Sequence, residues 1–205
     1  MAELLGVVLA GGLSRRMEGP EKSLLELGGI KLITHVTNRL NKQVNSVVIN
    51  ANGDPKRFDF LKLPIVPDTV EGFAGPLAGV LAGMRWAADN TDASHVITAA
   101  ADTPFFPHDY VSNMFSQARS TNSLIALAAS NDRRHPVFGL WPVSLADALE
   151  AFLVEEKNRK VMLFVERYTN CLVEFPGDDP DPFFNINTPD DKQKAEQILS
   201  EQIAR

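Results

Sequence analysis

The stretch GVVLAGGLSRRMEGPEKSLLELGG, residues 6–29, decides the fold. It opens in an apolar run, residues 4–10, that is too short for a helix and carries no polar residue, as a strand covered on both faces requires. The run breaks at Gly11 and Gly12 into a loop bearing Arg15, Arg16 and Lys22, and the chain then turns apolar again. Glycines free backbone N–H groups to approach a ligand, and the three cations supply charge opposite to an anion. Neither GxxxxGK[ST] nor GxGxxG is present, which excludes two widespread phosphate loops. A loop of this length and charge suits a triphosphate, with N–H groups on one side and cationic side chains on the other. The alternative is a solvated surface loop, in which Glu18 and Glu21 partly cancel the positive charge.

Outward from this stretch, short apolar runs alternate with helical patterns, the mark of a mostly parallel sheet covered by helices. Strands are expected at 4–10, 46–51, 64–68, 95–102, 123–129 and 137–141, and the segment NCLVEF at 170–175 also reads as a strand. Helices are expected over 31–43, where Leu32, Ile33, Val36 and Leu40 share a face, and over 75–89, where Leu77, Val80, Leu81 and Met84 do. In the second of these, Gly79 and Gly83 would let the backbone lie close to the sheet. Further helical patterns cover 143–153 and 159–168. A final helix is capped by Thr188, with Pro189 at its first position and Asp190 and Asp191 in its first turn. The segment GDDPDP at 177–182 reads as a solvated loop.

Composition sets the class. The 205 residues suffice for one sizeable core, and hydrophobic residues at 44% with charged residues at 22% fit an ordinary globular chain, so one α/β domain over 1–205 is expected. No apolar run approaches the ~20 residues that span a bilayer, so no membrane partner is expected. The net charge of −6 and the lack of a basic tract argue against nucleic acid as a partner. The single Cys171 excludes an internal disulfide framework, which points to the cytoplasm, and its place in a strand marks it as a packed thiol.

Ligands of an open α/β sheet sit beyond the carboxyl ends of its strands. Those ends are polar here: Gly11, Gly12, Ser14, Arg15 and Arg16 after the first strand, Asn50 and Asn52 at the second, Asp68 after the third, Asp102 after the fourth. Each has a plainer reading, in which the glycines make a tight turn, Asn52 and Gly53 make another, and Asp102 caps the next helix. Their coincidence on one edge favours a site.

The segments LAGGLSRRM, GPLAGVLAGM, ADTPF, HPVFGLW and FFNINTPDD occur in an order and spacing that resemble the molybdenum cofactor guanylyltransferases, from about residue 5 to residue 191. These belong to a wider nucleotidyltransferase group with a Rossmann-like, three-layer fold. The resemblance implies transfer of GMP from GTP to the molybdenum-bearing molybdopterin, with release of pyrophosphate and with Mg²⁺ as the metal. It implies that Leu9, Ala10, Gly11 and Gly12 lay their backbone against the nucleotide, that Lys22 binds phosphate, that Asn50 and Asp68 contact the nucleotide, that Asp102 holds the metal, and that Asn185 and Asn187 line the active-site edge. Lys22 and the pair Arg15 and Arg16 would stabilise charge on the leaving pyrophosphate. Two departures from the family pattern occur: Met17-Glu18 and Glu21-Lys22 stand where the family reads Met-Gly and Asp-Lys, and Ala101 precedes the aspartate where a Cys is usual.

The reaction needs positioning and electrostatics more than a protein nucleophile, and no Ser-His-Asp or Cys-His arrangement stands out in the sequence. Cytidylyl or sugar-nucleotide transfer, or a silent nucleotide-binding regulator of the same fold, are the alternatives; retention of both Lys22 and Asp102 counts against the last. A molybdoenzyme chaperone or an accessory GTP-binding protein is a conceivable partner. His135 either touches the pterin or caps a strand. Arg159 and Lys160 either meet the second substrate or form a basic first helical turn.

Overall fold

A computed structural model describes residues 3–11, 22–70, 75–177 and 180–204 of the chain. Its strands are β1 (Leu4–Leu9), β2 (Glu26–Leu27), β3 (Ile30–Lys31), β4 (Ser46–Asn50), β5 (Ile65–Val66), β6 (His95–Ala100), β7 (Ile125–Ser130), β8 (Arg133–Pro142) and β9 (Asn170–Glu174). Its helices are α1 (Leu32–Asn41), α2 (Pro76–Asn90), α3 (Tyr110–Ser120), α4 (Ala146–Val154), α5 (Val161–Val165) and α6 (Pro189–Ala204). Seven strands form one sheet in the order β5-β4-β1-β6-β8-β7-β9, and β2 and β3 form a separate small hairpin. β1 pairs in parallel with β4 on one side and with β6 on the other. β8 runs antiparallel between β6 and β7, and β9 returns parallel to β7.

The period-two alternation of the strands sorts their side chains to two helical layers. Leu4 and Val8 of β1 pack with Ile33, Val36 and Leu40 of α1 and with Tyr110, Val111 and Met114 of α3. Leu5 and Val7 point the other way, into a second cluster with Leu77, Leu81 and Met84 of α2, Leu149 and Phe152 of α4 and Phe164 of α5. α6 closes one end through Ala195, which meets Leu27, Leu32, Phe105 and Ile186. Gly79 and Gly83 lie against the sheet as expected: a Cβ on Gly79 would overlap Leu9 and the Asn50 side chain, and one on Gly83 would overlap Val7. α2 therefore approaches β1 and β4 more closely than any larger residue permits.

The structure departs from the sequence expectations at several places. α3 was not foreseen: its buried face is narrow, Tyr110, Val111, Met114 and Ala118, and Asp109 before it makes no side-chain cap. β8 begins at Arg133 rather than at residue 137, because the two-residue turn of Asn131 and Asp132, both at positive φ, makes a tight hairpin with β7. The segment 177–182 is not simply a solvated loop, since Asp181 is half-buried and accepts hydrogen bonds from Ser130 and Asn131. Cys171 lies on β9, half-buried and packed against the first cluster as a free thiol.

Candidate functional site

The strand order reverses at β1, since the chain proceeds from β1 outward to β4 and β5 and only then crosses to β6 on the other side. A crevice opens at such a point because the two crossover connections leave in opposite directions, and it is where open α/β sheets hold ligands. The carboxyl ends of β1, β4, β5 and β6 put Gly11, Asn50, Asp68 and Asp102 around it. Backbone bonds brace the strand ends, from Ala10 N to Asn50 O at 2.9 Å and from Ala101 N to Leu9 O at 3.1 Å.

One corner of the crevice is a closed network. Asn50, buried at 3% exposure, donates its side-chain amide to Val66 O at 3.1 Å and to Asp68 Oδ1 at 2.9 Å. Asn52 donates to Asp68 Oδ2 at 2.7 Å while its Oδ1 accepts from Asp68 N at 2.9 Å. Arg57 in turn donates to Asn52 O at 2.6 Å. Both carboxylate oxygens are thus aimed by amide donors, and each retains a lone pair for a ligand N–H. The Asn50 side chain sits between Gly11, whose added Cβ would lie 3.3 Å from Oδ1, and Gly79, whose Cβ would overlap it. Asn52 makes more than a turn with Gly53, and the interlock with Asp68 had no signal in the sequence beyond the Asn-x-Asn spacing at a strand end.

The other corner is assembled from distant parts of the chain. Lys22 donates its Nζ to Asn187 Oδ1 at 3.0 Å. Thr103, fully buried, donates Oγ1 to Asn185 Oδ1 at 2.8 Å and lies 3.2 Å from Asp102 Oδ1. Ile186 N donates to Asp102 O at 3.0 Å, stitching the 185–187 segment to the end of β6. Asp191 Oδ2 accepts from Asn187 N at 3.0 Å and from Thr188 N at 2.8 Å, while Asp191 N donates to Thr188 Oγ1 at 3.1 Å, a reciprocal cap that starts α6 as expected. These backbone and side-chain bonds to Asn187 and Thr188 hold the Asp191 carboxyl below its ordinary value. Asp102 behaves oppositely: burial raises its carboxyl above the ordinary value, opposed by the Thr103 hydroxyl, a backbone bond and the charge of Lys22. Its place is not at a helix N-terminus, since turns intervene before α3, so the capping reading of Asp102 falls.

Among the described residues no group of three or more His, Cys, Asp or Glu could hold a metal ion. Asp102 shares this corner with the amide oxygens of Asn185, which meets Thr103, and of Asn187, which meets Lys22, all hard oxygen donors. That set fits a cation such as Mg²⁺, which keeps waters and takes its remaining ligands from substrate phosphates. Gly12, Ser14, Arg15, Arg16, Glu18 and Glu21 lie outside the described residues. Thr103 and Asp191 join the candidate site only in the structure; their sequence signals are a Thr directly after Asp102 and a Thr-x-x-Asp box.

Arg159 and Lys160 are exposed and precede α5 rather than forming its first turn, with Lys160 N donating to Asn158 Oδ1 at 3.1 Å. His135 is buried at 8% exposure with its ring stacked on Phe183 at 4.6 Å, which leaves it no open face for a substrate on that side.

A mostly parallel sheet with a switch-point crevice, edged by the oriented Asp68 carboxylate and by Lys22 and Asp102, suits the class of the nucleotidyltransferases. The MobA-like NTP transferase domain model matches residues 6–169, and the chain belongs to that family. A molybdenum cofactor guanylyltransferase of Mesorhizobium japonicum is 49% identical over 200 residues, spanning 96% of each chain. Another of that description from Bradyrhizobium is 47% identical over 95% of this chain and 92% of its own. Among solved structures, the molybdopterin-guanine dinucleotide biosynthesis protein A of Archaeoglobus fulgidus superposes with a TM-score of 0.74 at 26% identity, over 97% of this chain and 99% of that one.

Proposed function

We propose that this chain transfers GMP from GTP to the terminal phosphate of molybdenum-bearing molybdopterin, forming the guanine dinucleotide cofactor and releasing pyrophosphate. The observation that carries the reading is the convergence of Lys22 and Asn187 with Asp102 and Asn185 at the switch point, beside the Asn50–Asp68–Asn52 network. The guanylyltransferases above support the choice of substrates.

An acceptor phosphate oxygen attacks the α-phosphorus of GTP, and the bond from that phosphorus to the β-phosphate oxygen breaks. The obstacle is negative charge meeting negative charge, so catalysis rests on positioning and electrostatics. Lys22 spends one of its three N–H donors on Asn187 Oδ1, which would leave the other two for the phosphates. Arg16, which lies outside the described residues, would add further positive charge. Leu9, Ala10 and Gly11 would present backbone to the nucleotide, a role proposed equally for Gly12, which lies outside the described residues. Asp102, with Asn185 and Asn187 nearby, would hold Mg²⁺, which when bound neutralises phosphate oxygens. Placing Asp102 in a desolvated recess strengthens its pull on a cation, because water screens less there.

Guanine offers N1–H and an exocyclic amine as adjacent donors, whereas adenine offers an acceptor at N1. A pocket with the Asp68 carboxylate and Asn50 at its wall pairs with the first and leaves buried groups unpaired against the second, at ~1–3 kcal/mol for each. Two such mismatches correspond to a discrimination of roughly 10²–10⁴. Pyrophosphate release with molybdenum-loaded molybdopterin, Mg²⁺ and each nucleoside triphosphate in turn tests the reading. GTP should turn over and ATP should be nearly inert; equal use of the purines, or a preference for CTP, sinks the guanylyl assignment. No helix among the described residues is long and apolar enough to cross a membrane. We place the activity in the cytoplasm, as one domain, with a molybdoenzyme chaperone or an accessory GTP-binding protein as a docking partner.

A further inference from the structure

The β7–β8 hairpin carries a buried polar chain that the transfer reaction does not use. Ser130, fully buried at the end of β7, lies 2.9 and 2.8 Å from the two carboxylate oxygens of Asp181, and its Oγ lies 2.7 Å from His135 Nε2. A serine hydroxyl has one hydrogen. Since a carboxylate only accepts, that hydrogen goes to Asp181, and His135 must hold its proton on Nε2 and donate it to Ser130. The order His135 to Ser130 to Asp181 is not that of a nucleophilic triad, in which the serine proton passes to the imidazole. It is a holding device.

What it holds is the start of the segment that carries the active-site asparagines. Asp181 Oδ1 also accepts from Phe183 N at 2.8 Å, and Asp181 O accepts from Phe184 N at 3.0 Å, so the carboxylate closes a turn over 181–184. His135 stacks on Phe183, whose ring also meets Phe138 at 4.8 Å and Phe175 at 5.3 Å. From that anchor the chain runs along the carboxyl edge from β7 to β6, burying Ile186 and delivering Asn185 to Thr103 and Asn187 to Lys22. The next anchor, Ile186 N on Asp102 O, lies within the site itself.

We propose that Asp181, Ser130 and His135 form a clasp that sets the position of Asn187 and, through it, the Lys22 ammonium, so that the three act as positioning residues for the transfer. The proposal rests on the reading of Lys22 as the phosphate-facing cation. Clasp and nucleotide network share no residue, so loss of the clasp should be felt in kcat and not in GTP binding. A misplacement of about 1 Å from a remote change costs up to ~10²-fold in rate.

The test is steady-state pyrophosphate release by the full chain, with binding of a non-hydrolysable GTP analogue and thermal melting measured on each variant. Asp181→Ala and Ser130→Ala should lower kcat by roughly 10- to 100-fold with analogue affinity within about twofold of the parent. Asp181→Asn, which keeps an acceptor for Ser130 and for Phe183 N, should recover much of the loss, and His135→Phe, which keeps the ring stacking, should fall between. It also guards against an Ala variant that fails to fold. In a Lys22→Ala background Asp181→Ala should add little, because the two act on one step. Parental kcat in folded Asp181→Ala, or losses that simply multiply in the double variant, overturns the clasp. Parental kcat in Lys22→Ala beside a loss in Asp181→Ala overturns instead the reading of Lys22 and with it the route through that residue.

Discussion

The two corners of the crevice are built in opposite ways. Asn50, Asn52 and Asp68 lie within one β-to-β crossing on neighbouring parallel strands and lock one another through bonds of 2.7–3.1 Å. Lys22, Asp102, Asn185 and Asn187 come from three remote parts of the chain, and the Lys22–Asn187 contact is exposed. A prelocked corner suits recognition, since a ligand that matches it meets groups whose orientation is already fixed. On the proposed reading an assembled corner suits chemistry, because its charges would face where new charge develops and its neighbours can be tuned without touching the base. Damage to the first should therefore appear in binding and damage to the second in turnover.

The largest expected effect separates them at Asp102. Asp102→Asn should cut turnover by roughly 10³-fold, the scale of a lost preorganised electrostatic partner, with GTP-analogue binding in the absence of metal little changed. Stability should hold or rise. Burial raises the folded-state pKa of Asp102, so its contribution to folding is lost as pH climbs above the ordinary carboxylate value and remains lost at neutral pH; an uncharged Asn removes that cost. A large drop in melting temperature would contradict this. Lys22→Ala should follow at roughly 10²-fold in kcat with a modest change in KM, and the reverse pattern would move Lys22 to the recognition side of the comparison.

Asn52→Ala removes a donor and an acceptor from Asp68 and should raise KM for GTP about tenfold while kcat stays near the parent value. Its GTP-to-ATP preference should shrink in parallel, and an unaltered ratio would show that Asp68 holds its aim unaided. Gly79→Ala should destabilise the fold by about 1–3 kcal/mol, as the new Cβ overlaps Leu9 and Asn50 on α2's tightest approach, and should weaken GTP binding by displacing Asn50. Calorimetric melting with and without GTP separates the two contributions.

The smallest effect is acid sensitivity. Burial lowers the folded-state pKa of both His95 and His135. The unfolded chain then takes up protons first as pH falls below about 6.5, so stability declines from there downward. Glu156 and Asp191, whose carboxyls are held below their ordinary values by Arg167 and by the Asn187–Thr188 turn, add their losses only in the range below about 4.5. His135→Phe should flatten the upper part of the melting-temperature profile and leave the lower part alone.

The sequence by itself determined the layered α/β plan and the polar strand ends. Strand alternation, the face of Leu32, Ile33, Val36 and Leu40, the Gly79–Gly83 spacing and the Thr188 cap are local rules of geometry, and each is readable within a turn or two of the chain. Asn50, Asp68 and Asp102 were legible because a strand end is a place the chain marks for itself. Tertiary structure alone decided which polar residues bond to which: that Asn52 aims Asp68, that Thr103 reaches Asn185, that Asp181 leaves the acidic loop to hold Ser130, and that His135 turns inward onto Phe183. A hydrogen bond depends on distances of a few tenths of an ångström between groups as many as 165 residues apart, as in the Lys22–Asn187 pair. No local pattern encodes that separation; it is fixed only when the packed core brings β7, β8 and the 181–187 segment to the same edge.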